Sequence, residues 1–210
     1  MKKILLIQTA FTGDVVLATP VLEKLHRFFP EAKIDFLLAK GNEGLLKDHP
    51  FVNEVLVFDK KNQKLRNIFR LLSKIRKRKY DLVVNLKRQG SSGFLTGFSG
   101  AKEKIGYEKS PFAFLLTKKF RHEIGPDASG GKHEVRRNLE LIEALTDARP
   151  ERPKLYPSEA DRKFISYHQH LGDYVCIAPT SVWFTKQWPE EKWVELIKLI
   201  PLSIRIYLLG

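Results

Sequence analysis

KILLIQTAFTGDVVLATPVLEKLHRFFPEAKIDFLL, residues 3–38, places two apolar runs of strand length on either side of a small-residue loop and a helical stretch. KILLIQ (3–8) and KIDFLL (33–38) are rich in Ile and Leu and too short for buried helices, which suits strands. Between them Thr19-Pro20 reads as a helix N-cap followed by proline at the first helical position. Val21, Leu22, Leu25, Phe28 and Phe29 then form one apolar stripe that ends at Pro30. Strand, helix, strand is a parallel-sheet pattern and predicts an α/β fold.

The pattern continues outward. EVLVF (54–58) and DLVVNL (81–86) are further strands, and the spacing predicts a helix over 62–78 with Leu65, Ile68, Phe69, Leu72 and Ile75 on one face. Gly90 to Gly100 reads as irregular, Lys104 to Tyr107 as a short strand, and Gly131 to Leu145 as a helix burying Val135, Leu139, Leu141, Ile142 and Leu145. Three prolines in DARPERPKLYP (147–157) mark a linker, and Asp161 to His170 a connecting helix. A second α/β unit then opens with a strand (174–178), a helix (189–199) and a strand (204–209). It reads as a domain cut off after its first third, since a β-α-β unit cannot cover both faces of its own sheet.

The 210 residues are 43% hydrophobic, 29% charged and 11% aromatic, which is globular rather than disordered or fibrous. A single cysteine, Cys176, excludes a disulfide framework and a multi-thiolate metal site, and fits a reducing compartment. Gln8, Thr9 and Asp14 interrupt the first apolar run too early for a signal peptide, and no run reaches the ~18 residues of a membrane span. Together these features point to the cytoplasm. Net charge is +13, and the ten Lys and Arg between Lys60 and Lys79, with no acid among them, account for all but three of it. Such a run suits nucleic acid, an anionic membrane or a phosphorylated substrate, or else forms a solvated helix face.

Two loops hold the residues suited to chemistry, and each leaves a strand to enter a helix, where open α/β sheets bind ligands. The first, QTAFTGDVVLATP (8–20), carries Gly13 and Asp14. Asp14 either offers a carboxylate to a ligand or caps a helical turn, and Gly13 either admits a ligand or serves the turn. The loop fits neither G-x-x-x-x-G-K-[ST] nor G-x-G-x-x-G, which argues against ATPase and dehydrogenase chemistry. The second, APTSVWFTKQWP (178–189), offers the Thr180 and Ser181 hydroxyls, the Lys186 ammonium and the amino end of a helix, a set suited to a diphosphate. Lys186 equally fits a solvated loop lysine, and Trp183 and Trp188 read as packing residues. The six histidines show no spacing with carboxylates that marks a metal site; His168 and His170 fit a surface helix.

Taken in order, TGDVVLATP (12–20), DLVVNLKRQGSSGFLTGFSGAKEKIGY (81–107), HEVRRNLELIEAL (133–145) and PTSVWFTKQWPEEKW (179–193) resemble the lipopolysaccharide heptosyltransferases of glycosyltransferase family 9. The resemblance implies a GT-B fold, in which two Rossmann-like domains face each other across a cleft. The first (1–150) would bind acceptor, 151–171 would link, and 172–210 would begin the nucleotide-sugar domain. It implies metal-independent, inverting transfer of heptose from ADP-heptose to the lipopolysaccharide inner core, with no cofactor, by a monomer at the inner face of the inner membrane. The family's catalytic aspartate falls on Asp14, and its donor-phosphate residues on Thr180, Ser181 and Lys186. The family continues beyond Gly210 through a D-x-G-P-x-H segment that helps hold donor, so the resemblance implies a chain inactive by itself.

An acceptor bearing phosphates and Kdo carboxylates calls for cations near the first domain's loops. Lys87 and Arg88, directly after the fourth strand, hold that position; Gly13 adjoins it, and His133, Arg136 and Arg137 come second. Lys74, Arg76, Lys77 and Arg78 are assigned to an anionic membrane surface. The rival reading is a non-catalytic basic module for nucleic acid or an anionic surface. It ranks lower because helix-turn-helix, zinc and interleaved aromatic signals are missing, so nucleic acid is not expected as a partner. A donor-binding relative without turnover is the third reading.

Overall fold

The computed structural model describes residues 1–124, 131–169, 172–181 and 183–209. By its internal contacts the chain forms two units, Met1–Pro157 and Ser158–Gly210.

The first unit runs β1 (Lys3–Gln8), α1 (Thr12–Val16), α2 (Thr19–Phe28), β2 (Lys33–Ala39), β3 (Glu54–Phe58), α3 (Lys64–Arg78), β4 (Leu82–Asn85), α4 (Gly90–Gly97), β5 (Glu103–Tyr107), β6 (Lys118–Phe120) and α5 (Glu134–Glu140). Its six strands form one parallel sheet in the order β3-β2-β1-β4-β5-β6. Alternate residues of β1 serve opposite faces. Ile4 and Leu6 belong to a core with Val21, Leu22, Leu25, Leu139 and Ile142 of α2 and the α5 region. Leu5 and Ile7 join Ile68, Leu71 and Ile75 of α3 and Leu95 of α4. Both faces are therefore covered by helices, which is why these strands read as unbroken apolar runs. Each such side chain contributes ~1.5–3 kcal/mol on full burial.

Several local expectations change. Thr19 is the first helical residue of α2 rather than its cap; Ala18 takes the cap position and the Thr19 hydroxyl donates to the Val16 carbonyl at 2.8 Å. On α3 the buried residues are Ile68, Leu71 and Ile75, whereas Leu65 and Phe69 face solvent. GSSGFLTG (90–97) is helical rather than irregular. Its glycines permit close packing: a Cβ on Gly97 would stand 2.7 Å from Leu115 Cδ1, and one on Gly93 would collide with Ser110 Oγ. The three-residue edge strand β6 was not foreseen. The helix expected over 131–145 is shorter, α5 being followed by a 3-10 turn at Glu143–Leu145, and Leu139, Leu141 and Ile142 are buried as expected.

Residues 151–157, read as linker from their prolines, lie along the first unit. The Lys154 amide donates to Thr19 Oγ1 at 2.9 Å, the Tyr156 hydroxyl donates to Glu23 Oε1 at 2.8 Å, and Glu151 pairs with Arg27 at 2.7 Å. Just upstream, the fully buried Lys24 donates to Asp147 Oδ1 at 2.7 Å and to the Arg149 carbonyl.

The second unit comprises α6 (Glu159–Gln169), β7 (Tyr174–Ile177), α7 (Glu190–Leu199) and β8 (Arg205–Leu208), with β7 and β8 parallel. His170, at the end of the expected connecting helix, lies outside the described residues. Ile177 is buried, but Val175, Leu199 and Leu208 are exposed. Among the described residues no helix is long and apolar enough to cross a membrane.

Candidate active site at the carboxyl edge of the sheet

In the first unit β1 lies between β2 and β4, and the chain's course reverses on either side of it. The loops after β1 and β4 therefore diverge at the sheet's carboxyl edge and leave a crevice, the place where open α/β sheets take ligands. Asp14 sits in α1, immediately after β1, and its Oδ2 accepts the Phe11 amide at 3.2 Å. The loop is tied to the exit of β2: the Thr12 hydroxyl donates to Asn42 Oδ1 at 2.9 Å, and Asn42 Nδ2 donates to the Ala10 carbonyl at 3.1 Å. A Cβ on Gly13 would meet nothing within 4 Å, so local packing does not demand glycine there.

Opposite this loop, Lys87 and Arg88 follow β4, where Asn85 Oδ1 accepts the Lys87 amide at 3.0 Å. Asp14, Lys87, Arg88, His122, Glu134 and Arg137 line one cavity of about 180 Å³. Two carboxylates, Asp14 and Glu134, thus share a small polar chamber with Lys87, Arg88 and Arg137, and Glu134 is the ion-pair partner of Arg137.

Arg137 is buried; it donates to the Lys132 carbonyl and to Glu134, and its Nε has no partner among the described residues. His122, just beyond β6, stands edge-on to Tyr107 with centroids 4.4 Å apart. Burial first, then the neighbouring Arg88 and Arg137 charges, push the His122 imidazole down to about 4, and its buried Nδ1 is also unpartnered. At neutral pH it is an uncharged polar group facing the chamber. Burial, reinforced by Glu134, pushes the Tyr107 hydroxyl up. Lys60 belongs near this edge as well: its ammonium donates to the Thr9 carbonyl, and burial followed by the charges of Lys87 and Lys64 lowers its pKa.

The structure brings Asp14, Lys87, Arg88 and Arg137 together and leaves two expected residues elsewhere. His133 caps α5, its Nδ1 accepting the Val135 amide at 3.3 Å. Arg136 is exposed, with Nε 3.5 Å from Glu140. One helical step separates Arg136 from Arg137 and turns the side chain by ~100°. The basic run divides in the same way. Lys74 pairs with Glu54 at 2.8 Å at the exposed surface, whereas Arg78 pairs with both Glu54 and the buried Asp35 and is turned into the fold. Arg76 and Lys77 carry no ion pair among the described residues.

In the second unit, Thr180, Ser181 and Lys186 share the loop between β7 and α7. Ser181 Oγ accepts the Trp183 amide at 3.2 Å, its carbonyl accepts Gln187 Nε2 at 2.7 Å, and Lys186 ends a 3-10 turn at Phe184–Lys186. A hollow of about 680 Å³ adjoins the loop, lined by Thr180 and mainly by apolar groups such as Ile177, Trp188, Trp193 and Leu208. Trp188 meets Trp193 edge-on at 4.8 Å, but Trp188 is 45% and Trp183 62% exposed, so neither is a buried packing residue of this unit. Among the described residues no group of three or more His, Cys, Asp or Glu could hold a metal ion.

Comparison with known proteins agrees with this architecture. The chain is 30% identical over 196 residues to lipopolysaccharide heptosyltransferase 3 of Escherichia coli K12, covering 89% of this chain and 56% of that relative. The chain therefore spans little more than half the length of the curated relatives it matches. A glycosyltransferase family 9 structure from Veillonella parvula superposes with a TM-score of 0.82 at 22% identity, covering all of this chain and 62% of that one. E. coli heptosyltransferase WaaC with ADP-2-deoxy-2-fluoro heptose gives a TM-score of 0.73 at 21% identity, covering 99% of this chain and 69% of that one. The α/β fold is that of these enzymes, and since residues 68–210 match the model of glycosyltransferase family 9 (heptosyltransferase), the chain belongs to that family.

Proposed function

We propose that this chain takes part in inverting transfer of a heptose from ADP-heptose to the inner core of lipopolysaccharide, with Asp14 as the base. The observation that carries this reading is the chamber that Asp14 shares with Lys87 and Arg88, with Arg137 held beside them by its partner Glu134. An acceptor rich in phosphate and carboxylate groups is held by the cations through charge-assisted hydrogen bonds, which leaves a hydroxyl to approach Asp14. The acceptor oxygen attacks the anomeric carbon, the bond from that carbon to the ADP oxygen breaks on the opposite face, and the hydroxyl proton passes to Asp14.

The departing ADP gains negative charge, and Thr180, Ser181 and Lys186 are the groups proposed to meet it. In this proposal the single Lys186 ammonium and the two hydroxyls meet the diphosphate charge without a metal. E. coli heptosyltransferase WaaC, a protein of this fold, has been solved with ADP-2-deoxy-2-fluoro heptose, which supports the choice of donor. The reading places a monomer at the inner face of the inner membrane, where its glycolipid acceptor resides.

Transfer by a version extended to the length of its relatives, assayed against a panel of ADP- and UDP-sugars with Lys87→Ala and Arg88→Ala variants, tests the reading, and the 210-residue chain alone should lack transfer. ADP-heptose should be preferred and both variants should raise the acceptor KM. ADP binding without transfer would favour a non-catalytic donor binder, and salt-sensitive binding of DNA of any sequence the nucleic-acid reading.

A further inference from the structure

The α3–α4 face carries a row of aromatic side chains that the proposed chemistry does not use. Phe69 stands edge-on to Phe94 with ring centroids 5.8 Å apart; Phe94 meets Phe98 at 4.9 Å and Phe112 at 5.7 Å, and Phe112 meets Phe114 at 6.4 Å. Phe94 and Phe112 are the half-buried middle of the row. Its ends face water: Phe69 is 60% exposed, Phe114 72%, and Leu65, one turn before Phe69 on α3, 73%. Large apolar side chains joined into one exposed patch mark a docking surface.

The charges around the row identify what docks. The segments that supply the patch, residues 60–79, 87–102 and 109–121, contain no Asp or Glu. With Ile68, Leu71 and Ile75 turned inward, ~100° per residue places Leu65, Phe69 and Arg76 on the shoulder of α3 towards α4. The same geometry places Arg66, Arg70 and Lys77 on the outward side. These four cations form no ion pair among the described residues, whereas Lys74 and Arg78 on the other shoulder are neutralised by Glu54 and Asp35. Apolar rings beside unpaired cations suit the boundary of an anionic bilayer, where the rings enter among the acyl chains and the cations meet headgroups. A second copy of the chain seated on the same patch would set like charges against each other.

We propose that Leu65, Phe69 and Phe114, flanked by Arg66, Arg70 and Lys77, form the edge by which the first unit inserts into an anionic phospholipid bilayer. This surface does not depend on glycosyl transfer, and its test has no activity readout. Sedimentation with phosphatidylcholine vesicles, with and without phosphatidylglycerol, is measured at low and high salt. The chain should bind only the phosphatidylglycerol vesicles and release them as salt rises. L65S/F69S/F114S should weaken binding about tenfold or more, as should R66E/R70E, with melting curves showing that each variant is folded. Leu202→Ser, which removes an exposed apolar side chain of the second unit, should change nothing. A C176S/F114C chain carrying an environment-sensitive dye at position 114 should shift its emission to the blue on these vesicles. Unweakened binding by the triple serine variant, or a dye that does not shift, overturns the proposal. So does a triple variant that turns a dimer into a monomer while vesicle binding persists.

Discussion

Asp14 keeps one backbone hydrogen bond, from Phe11, and its remaining oxygen lone pairs are what the proposed chemistry requires. In a version extended to the length of its relatives, Asp14→Asn preserves shape but removes proton acceptance, so kcat should fall by ~10²–10⁴ while ADP affinity holds. Near-normal turnover in a folded variant would move the base elsewhere. Lys186→Ala should weaken ADP by about 1.5–3 kcal/mol and leave adenosine alone, because the proposed contact is with phosphate. Equal losses for both ligands would take Lys186 out of the phosphate site. A third prediction concerns two histidines. Burial first, with neighbouring positive charge, holds His49 and His122 at about 4 against an ordinary 6.5. The folded chain therefore refuses protons that the unfolded chain accepts, so stability is lost as pH falls from about 6.5 to about 4 and levels off below. Asp59 and Asp81, held down mainly by hydrogen bonds to Asn62 and Lys102, add their loss only beneath that window. H49Q/H122Q should flatten the slope in urea titrations across the window; an unchanged slope would assign it to other groups.

Along α3 the same residue types do different work according to helical phase. Arg78 answers Asp35, which is buried on β2 and also accepts the Tyr80 hydroxyl at 2.5 Å and Asn53 Nδ2 at 2.7 Å. Arg78→Ala leaves that carboxylate without its charged partner and should cost about 2–3 kcal/mol, whereas Lys77→Ala, pointing outward, should stay within about 0.5 kcal/mol. Equal shifts in urea midpoint would mean that Asp35 is satisfied without Arg78. The basic run showed in the sequence, but its division into buried partner and free cation depended on where β2 and β3 place Asp35 and Glu54. Strands β1 to β4 were legible because both of their faces are covered, which writes them as apolar runs. Helix α4 was not, because its glycines disfavour a helix intrinsically and are present for contact with the 110–115 segment. Strand β6, KKF at a sheet edge, has too few residues to show a period. Asp14, Lys87 and Arg88 were legible as residues that follow strands. Lys60 and His122 were not, since one looked like part of a solvated run and the other follows that unseen strand.

The two units differ in how much backbone and apolar surface each secures for itself. The first holds six parallel strands between two helical layers, with residues 151–157 bonded along α2. Among the described residues the second pairs β7 with β8 and leaves Val175, Leu199 and Leu208 exposed. Isolated two-stranded sheets are marginal in water, since few backbone bonds are shielded and little apolar area is removed. Amides of Val175–Ile177 and Ile206–Leu208 should therefore exchange through local opening, well before those of Ile4–Ile7, whose exchange needs the first unit to unfold as a whole. Residues 1–157 expressed alone should melt within a few degrees of the whole chain, because the covering of both sheet faces lies inside them. Hydrogen exchange followed by mass spectrometry decides between this picture and a single cooperative body. Equal protection of β7, β8 and β1 would show that the second unit draws stability from outside its own two strands, and a 1–157 chain that failed to fold would show that the dependence runs both ways.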